Sequence, residues 1–183
     1  MGLVETPICE FGQPAKEFSL PGIDGKQWTL EECRGERGTL VMFICNHCPY
    51  VKAIRERLVA DTRELLQHGI SSVAIMPNDT VNYPEDSLEN MKAAAARYDF
   101  PFPYLIDETQ EVAKQYGAVC TPDFFGYNAD LGLQYRGRLD ASKMEPAPAG
   151  ARRELFEAMK QIAETGNGPG EQVASMGCSI KWK

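Results

Sequence analysis

Hydrophobic positions along the chain switch between two periods. Gly38–Ile44 is a short apolar run without charge, the pattern of a buried strand. Directly after it, Val51, Ile54, Leu58, Thr62 and Leu65 recur at helical spacing, with Arg55, Glu56, Asp61 and Glu64 between them. This predicts a helix from about Cys48 to Gln67, with Gly69 as its C-cap. Ile70–Met76 predicts a second buried strand. Strand, helix and strand in this order imply a right-handed crossover and a parallel pair.

The flanking segments are shorter. Residues 1–16 read as an irregular arm. Glu17–Leu20 and Gln27–Leu30 are short strands around the turn chemistry of Pro21–Lys26, an N-terminal hairpin, and Thr29 caps a helical turn through Glu32 and Cys33. Pro77–Pro84 is a loop. Glu85–Tyr98 is a helix with Leu88, Met91 and Ala95 on one face, broken by Phe100–Pro103. Tyr104–Ile106 is a strand, and Thr109–Tyr116 a short helix ending at Gly117. Val119–Asn128 and Leu133–Leu139 form a hairpin around Ala129–Gly132, the first strand entered through Thr121 and Pro122. Ala151–Glu164 is the last helix, burying Leu155, Phe156, Met159 and Ile162, and a tail runs from Glu171 to Lys183.

Size and composition narrow the classes. A chain of 183 residues with 43% hydrophobic and 25% charged positions suits one well-packed domain, residues 1–183, with a core over about 15–165 and a tail over 166–183. The net charge of −7 gives no electrostatic case for nucleic acid or an anionic membrane surface. No run has the length of a membrane span. The start, Met1–Pro7, lacks a basic stretch followed by an apolar one, so the expected location is cytoplasmic. In that setting the six cysteines (9, 33, 45, 48, 120 and 178) read as catalytic, metal-binding or buried rather than as a disulfide framework.

The chemistry is concentrated at Cys45-Asn46-His47-Cys48, where strand gives way to helix. The first N–H groups of a helix lack intrahelical partners and carry partial positive charge. A thiolate there is stabilised, and cysteines in such motifs fall from about 8.5 to roughly 3.5–7.5. Cys45 is therefore the expected attacking thiol, and Cys48, one helical turn in, the resolving thiol. His47, with Asn46 beside it, is expected to tune the pair, its charge favouring the Cys45 thiolate. The plain alternative is a solvated loop histidine.

The order strand, C-x-x-C helix, strand, helix, Thr-Pro, hairpin and helix resembles the thioredoxin fold over most of residues 15–165: an α/β fold in three layers around a central mixed sheet. A C-terminal tail is added, and the N-terminal hairpin extension and the inserted helix before Tyr104 resemble its peroxiredoxin-like and membrane-anchored thioredoxin-like branches. More closely, Cys45–Val51, Cys120–Phe125, Tyr135–Arg138 and Gly177–Trp182 resemble redoxin, AhpC/TSA-like proteins. The resemblance implies that Thr121-Pro122 is a cis-proline loop lying against the cysteines and shaping the substrate groove. Its backbone would pair with a bound chain as an added strand.

Two departures change what is expected. The peroxiredoxin pattern Pro-x-x-x-Thr-x-x-Cys meets Gly38 and Met42 when Cys45 is last, and Val41 and Cys45 when Cys48 is last. The buried acid that thioredoxins carry six residues before the first cysteine is Thr39 here. A histidine directly before Cys48, without proline between the cysteines, resembles the disulfide isomerase and oxidase motifs and implies a more oxidising poise than thioredoxin's about −270 mV.

The leading expectation is a thiol–disulfide oxidoreductase needing no cofactor and no metal. Its partners would be a disulfide-containing protein or small-molecule thiol or disulfide, with an unidentified reductant or oxidant; oligomeric state is open. The alternatives are an antioxidant thiol peroxidase, with Cys45 oxidised to sulfenic acid, and a zinc-binding protein using Cys45, Cys48, Cys120 and His47 or Cys178. Cys120 and Cys178 are possible accessory thiols; the former also reads as a small buried hydrophobe. Arg136 and Arg138 read as solvated strand residues.

Overall fold

The structure, a computed structural model, describes residues 2–183. In chain order its elements are β1 (Leu3–Glu5), β2 (Ser19–Pro21), β3 (Gln27–Thr29), α1 (Leu30–Cys33), β4 (Gly38–Phe43), α2 (Pro49–Leu65), β5 (Ile70–Met76), α3 (Leu88–Arg97), β6 (Tyr104–Ile106), α4 (Glu111–Tyr116), β7 (Cys120–Thr121), β8 (Asp123–Asn128), β9 (Leu133–Tyr135), α5 (Glu154–Thr165) and β10 (Met176–Ser179). A mixed five-stranded sheet runs in the order β6-β5-β4-β8-β9. β4, β5 and β6 are parallel, and β8 and β9 are antiparallel to their neighbours.

Side-chain alternation along β4 explains the layers. Leu40 and Met42 point to one face with Ile54 and Leu58 of α2 and Met159 and Ile162 of α5. Val41 and Phe43 point to the other, where Phe18, Leu20, Leu30 and Tyr116 from the hairpin, α1 and α4 cover them. Both faces of β4 are therefore buried, which is why its sequence is a continuous apolar run rather than an alternating one. This is the thioredoxin fold, with the hairpin, inserted helix and tail added. No helix among the described residues is long and apolar enough to cross a membrane.

Four boundaries differ from the expectation, and each bears on the site. α2 begins at Pro49, so Cys48 is its N-cap and not a residue one turn inside; proline at the first helical position is favoured because its missing N–H would have no partner there. α3 begins at Leu88 because the Ser87 side chain accepts from the Asn90 N–H, which leaves Glu85 and Asp86 in a preceding 3-10 turn. The arm is not wholly irregular: β1 pairs with β10. The return strand after the hairpin stops at Tyr135, where the chain turns inward through Arg136.

Pro122 divides two sheets. β8 after it belongs to the central sheet, whereas β7 before it pairs antiparallel with β10, in the order β1-β10-β7. The Thr121–Pro122 peptide is cis.

Candidate active site

Cys45 lies just past the end of β4, where the Ile44 N–H donates to the Ile75 carbonyl at 3.1 Å and keeps the chain in the sheet. Cys48 opens α2: its carbonyl accepts from the N–H groups of Val51 and Lys52 at 3.1 and 2.9 Å. Both thiols are free and almost fully enclosed, Cys45 at 2% and Cys48 at 0% exposure. Thr121 faces both. Its hydroxyl is 3.5 Å from Cys45 Sγ, and its carbonyl oxygen is 3.2 Å from Cys48 Sγ.

The surroundings act in opposite senses on the two thiols. Cys48 is the one pushed down, to about 5, by a hydrogen bond from Cys45 and further ones from the Cys178 thiol, the Cys178 N–H and the Val51 N–H, against the cost of burial. Cys45 is raised well above its ordinary value because it donates that hydrogen bond to Cys48, because it is buried, and because the Asp86 carboxylate is close. Of the two thiols, Cys48, the helix N-cap, is the easier to ionise and Cys45 the harder. The Thr121 carbonyl is the acceptor in this ring of donors, and takes the S–H hydrogen bond when Cys48 is protonated.

His47 is engaged by a carboxylate and an aromatic ring. Its Nδ1 lies 2.7 Å from Asp86 Oδ2, and its ring stacks on Tyr83 at 5.9 Å between centroids. Asn46 is a brace. Its N–H donates to Asp86 Oδ1 at 2.8 Å, its amide donates to the Glu85 carbonyl at 3.2 Å, and its side-chain oxygen accepts from Tyr104 Oη at 2.8 Å.

Asp86 is the site residue that sequence reasoning missed. It is fully buried, and Asn78 donates to its Oδ2 at 2.9 Å. The available signal was Ser87 as an N-cap, which would have moved the helix start past Asp86. No acid replaces Thr39, whose hydroxyl accepts from the Gly35 N–H at 3.0 Å. Asp86 is the carboxylate that acts on Cys45 instead.

Cys45 Sγ, His47 Nδ1 and one Asp86 oxygen lie within 4.8 Å of one another and are the residues with the donor chemistry for a divalent ion. His47 Nδ1 and Asp86 Oδ2 are the near pair in this group, 2.7 Å apart. The cluster also differs from the expected set: Cys120 turns its thiol to the Pro122 carbonyl, 3.6 Å away, as a small buried group whose pKa burial pushes up.

The Thr121 edge, expected to stay free for a substrate strand, is occupied by the chain itself, with Cys178 opposite Thr121 and Ser179 opposite Cys120. Pro122 instead lines a cleft of about 250 Å³ with Tyr50, Ile54, Leu139, Ser175 and Met176. Arg136 is no solvated strand residue either. Its guanidinium grips the fully buried Asp123 at 3.0 and 3.3 Å, donates to the Gly117 carbonyl at 2.9 Å and covers the Phe125 ring. Asp123 in turn accepts from the Val119 N–H at 3.1 Å, which ties down the segment leading into Cys120 and Thr121. Arg138 lies at the surface, paired with Glu154.

A model described as the AhpC/TSA family matches residues 11–141. The chain belongs to the AhpC/TSA family. As a member of it the protein has a redox function. It is similar to two solved structures along its whole length: an uncharacterized conserved protein of Geobacillus kaustophilus, at 44% identity, covering 100% of this chain and 97% of that one with a TM-score of 0.94, and a hypothetical protein of Sinorhizobium meliloti 1021, at 37% identity, covering 98% and 97% with a TM-score of 0.90. A peroxidoxin of Mycobacterium tuberculosis, at 16% identity over 84% of this chain and 92% of that one, shares the fold with a TM-score of 0.59. No curated protein matches the chain.

Proposed function

We propose that this family member is a thiol–disulfide oxidoreductase working through Cys45 and Cys48. The observation that carries the reading is geometric: two free, buried thiols at a helix start, with the Thr121 hydroxyl 3.5 Å from Cys45 Sγ and the Thr121 carbonyl 3.2 Å from Cys48 Sγ. Cys45 attacks a substrate disulfide. Its proton passes to the Cys48 sulfur as the new S–S bond forms, and the substrate leaves one thiolate. Cys48, its S–H directed at the Thr121 carbonyl, gives the proton on to the departing thiolate and attacks Cys45. The mixed disulfide breaks, the second substrate thiolate leaves, and a Cys45–Cys48 disulfide remains. Because the reduced form holds a stabilised thiolate, reduction is favoured and the disulfide is oxidising for its class.

A Cys48→Ser variant offered a disulfide substrate should accumulate a mixed disulfide on Cys45, seen as an intact-mass adduct, while Cys45→Ser should lose turnover. Normal turnover by both variants would sink the dithiol reading. The second reading, thiol peroxidase, is favoured by family membership. Peroxide consumption no faster than that of free cysteine removes it.

A further inference from the structure

The strand that a thioredoxin-type protein would add from its substrate is here supplied by its own C-terminus. β10 lies antiparallel along β7, with Cys178 opposite Thr121. The approach is close enough to dictate a residue: a Cβ on Gly177 would stand 2.0 Å from the Thr121 carbonyl oxygen and 3.1 Å from Pro122 Cδ. The strand is held from both sides. β1 pairs along its other edge, the Lys181 N–H donates to Asn78 Oδ1 at 2.9 Å, and the Lys181 carbonyl accepts from Asp79 N–H and the Gln110 amide, both at 2.8 Å. Asn78 is also the residue that donates to Asp86, so one side chain joins the tail to the carboxylate beside Cys45.

This register brings a third thiol to the pair. Cys178 is buried in the same cluster as Cys45 and Cys48. Thr121, its partner across the strand pair, carries the carbonyl that Cys48 Sγ meets at 3.2 Å, and the Cys178 thiol and N–H are among the groups that lower the Cys48 pKa. Cys178 neighbours the two thiols not by sequence but by strand pairing.

We propose that Cys178 is a third redox thiol, an internal substrate that exchanges with Cys48. This rests on the dithiol reading above. The external disulfide substrate first oxidises Cys45 and Cys48. The Cys178 thiol then loses its proton and attacks Cys48 Sγ. The Cys45–Cys48 bond breaks, a Cys48–Cys178 bond forms, and the electron pair leaves on Cys45, which takes up the proton. Nothing is oxidised or reduced overall, so no further reactant is needed. Cys45 is returned as a free thiol while the oxidising equivalent is stored under the tail. Burial holds the proton on Cys178, and Cys48 adds to that in the reduced protein; the second contribution is absent once Cys48 is in a disulfide, so oxidation makes Cys178 easier to ionise.

The test is disulfide mapping of the full chain. Cys45→Ser protein is oxidised with glutathione disulfide, quenched in acid, alkylated, and its cysteine peptides are identified by mass. A Cys48–Cys178 link is expected to exceed the Cys48–glutathione adduct by on the order of tenfold, since a thiol held in place outcompetes millimolar glutathione. Adding Cys178→Ser should leave the adduct alone. A Cys48–glutathione adduct as the main product in the single variant overturns the proposal. Wild-type protein, needing no substitution, gives the second measurement. Both links across a glutathione titration support the exchange. The Cys45–Cys48 link alone overturns the exchange and leaves the oxidoreductase standing, and neither link overturns both.

Discussion

Two aspartates, Asp86 and Asp123, are equally buried, at 0% exposure, yet their surroundings assign them opposite work. Asp123 meets Arg136, a permanent cation with a fork that fits a carboxylate, and its remaining contact is the Val119 N–H. Burial raises the Asp123 pKa while the Arg136 fork lowers it, and the bidentate grip fixes the geometry; the pair clamps the start of β8 to the loop that presents Thr121. Asp86 meets His47, Asn78, the Asn46 N–H and, without a hydrogen bond, the Cys45 thiol. Its partners are titratable or neutral, so its charge is felt by the sulfur. A buried acid is a clamp when its partner cannot titrate and a tuning group when its partners can.

The sharpest break of this comparison is Arg136→Ala. Removing one partner of a buried pair strands the other charge and costs about 3–5 kcal/mol. Urea unfolding should show that loss, with the reduced pair's thiol titration unchanged in whatever protein remains folded. A variant of wild-type stability would show that Asp123 is no clamp. Asp86→Asn should cost less, about 1–3 kcal/mol, since an amide now faces the Asn46 and Asn78 donors. Its larger effect is chemical. The charge that holds the Cys45 pKa up is gone, so the pKa falls, and alkylation of Cys45 near pH 7 should speed by about tenfold per pKa unit. No change in Cys45 alkylation would put Asp86 in the same class as Asp123.

Legibility followed the same division. The strand, C-x-x-C and helix were readable because apolar period and turn residues are local signals, and the positions of Leu40–Phe43, Ile54 and Leu58 in the core follow from them directly. Thr121-Pro122 was readable through its family pattern. What escaped was decided by contacts between distant segments. The role of Asp86 depends on Ser87 ending one turn and starting another, and on Asn78 across a loop. Arg136 looked solvated because Tyr135 alternates correctly, but the strand stops there and the guanidinium swings inward. Nothing in Gly177-Cys178-Ser179 announces a strand; its pairing is set by β7 and β1, more than fifty residues away in sequence from either. The one local error that mattered, placing Cys48 inside the helix, came from extending a period through Pro49, where proline marks the first turn.

The pH dependence of the reduced protein sharpens the comparison further. The Cys48 pKa is lowered from an ordinary 9.0 to about 5, so between those values the unfolded chain binds the extra proton and stability rises with pH. That contribution is complete above about 9 and is lost as pH falls through about 5. Cys45, raised, acts in the opposite sense: above 9 the unfolded thiol ionises first and stability falls. Urea midpoints of reduced protein should therefore climb from pH 5 toward 9, and Cys48→Ser should flatten the climb. A flat wild-type profile would show that the charge does not rest on Cys48.

The smallest effect is expected at the residue the sequence pointed to most directly. If His47 acted on Cys45 itself, removing it would raise the Cys45 pKa whether or not Asp86 were charged. The structure places His47 Nδ1 2.7 Å from Asp86 Oδ2, so it acts on the sulfur through that carboxylate. His47→Asn should accordingly slow Cys45 alkylation by about twofold to threefold, less than the change from Asp86→Asn and opposite in sign. The decisive measurement is the double variant. With Asp86 already neutral, His47→Asn should add almost nothing, a non-additivity expected of residues in one contact network. Full additivity would return His47 to the direct role, and leave Asp86 and His47 as two independent charges beside the same thiol.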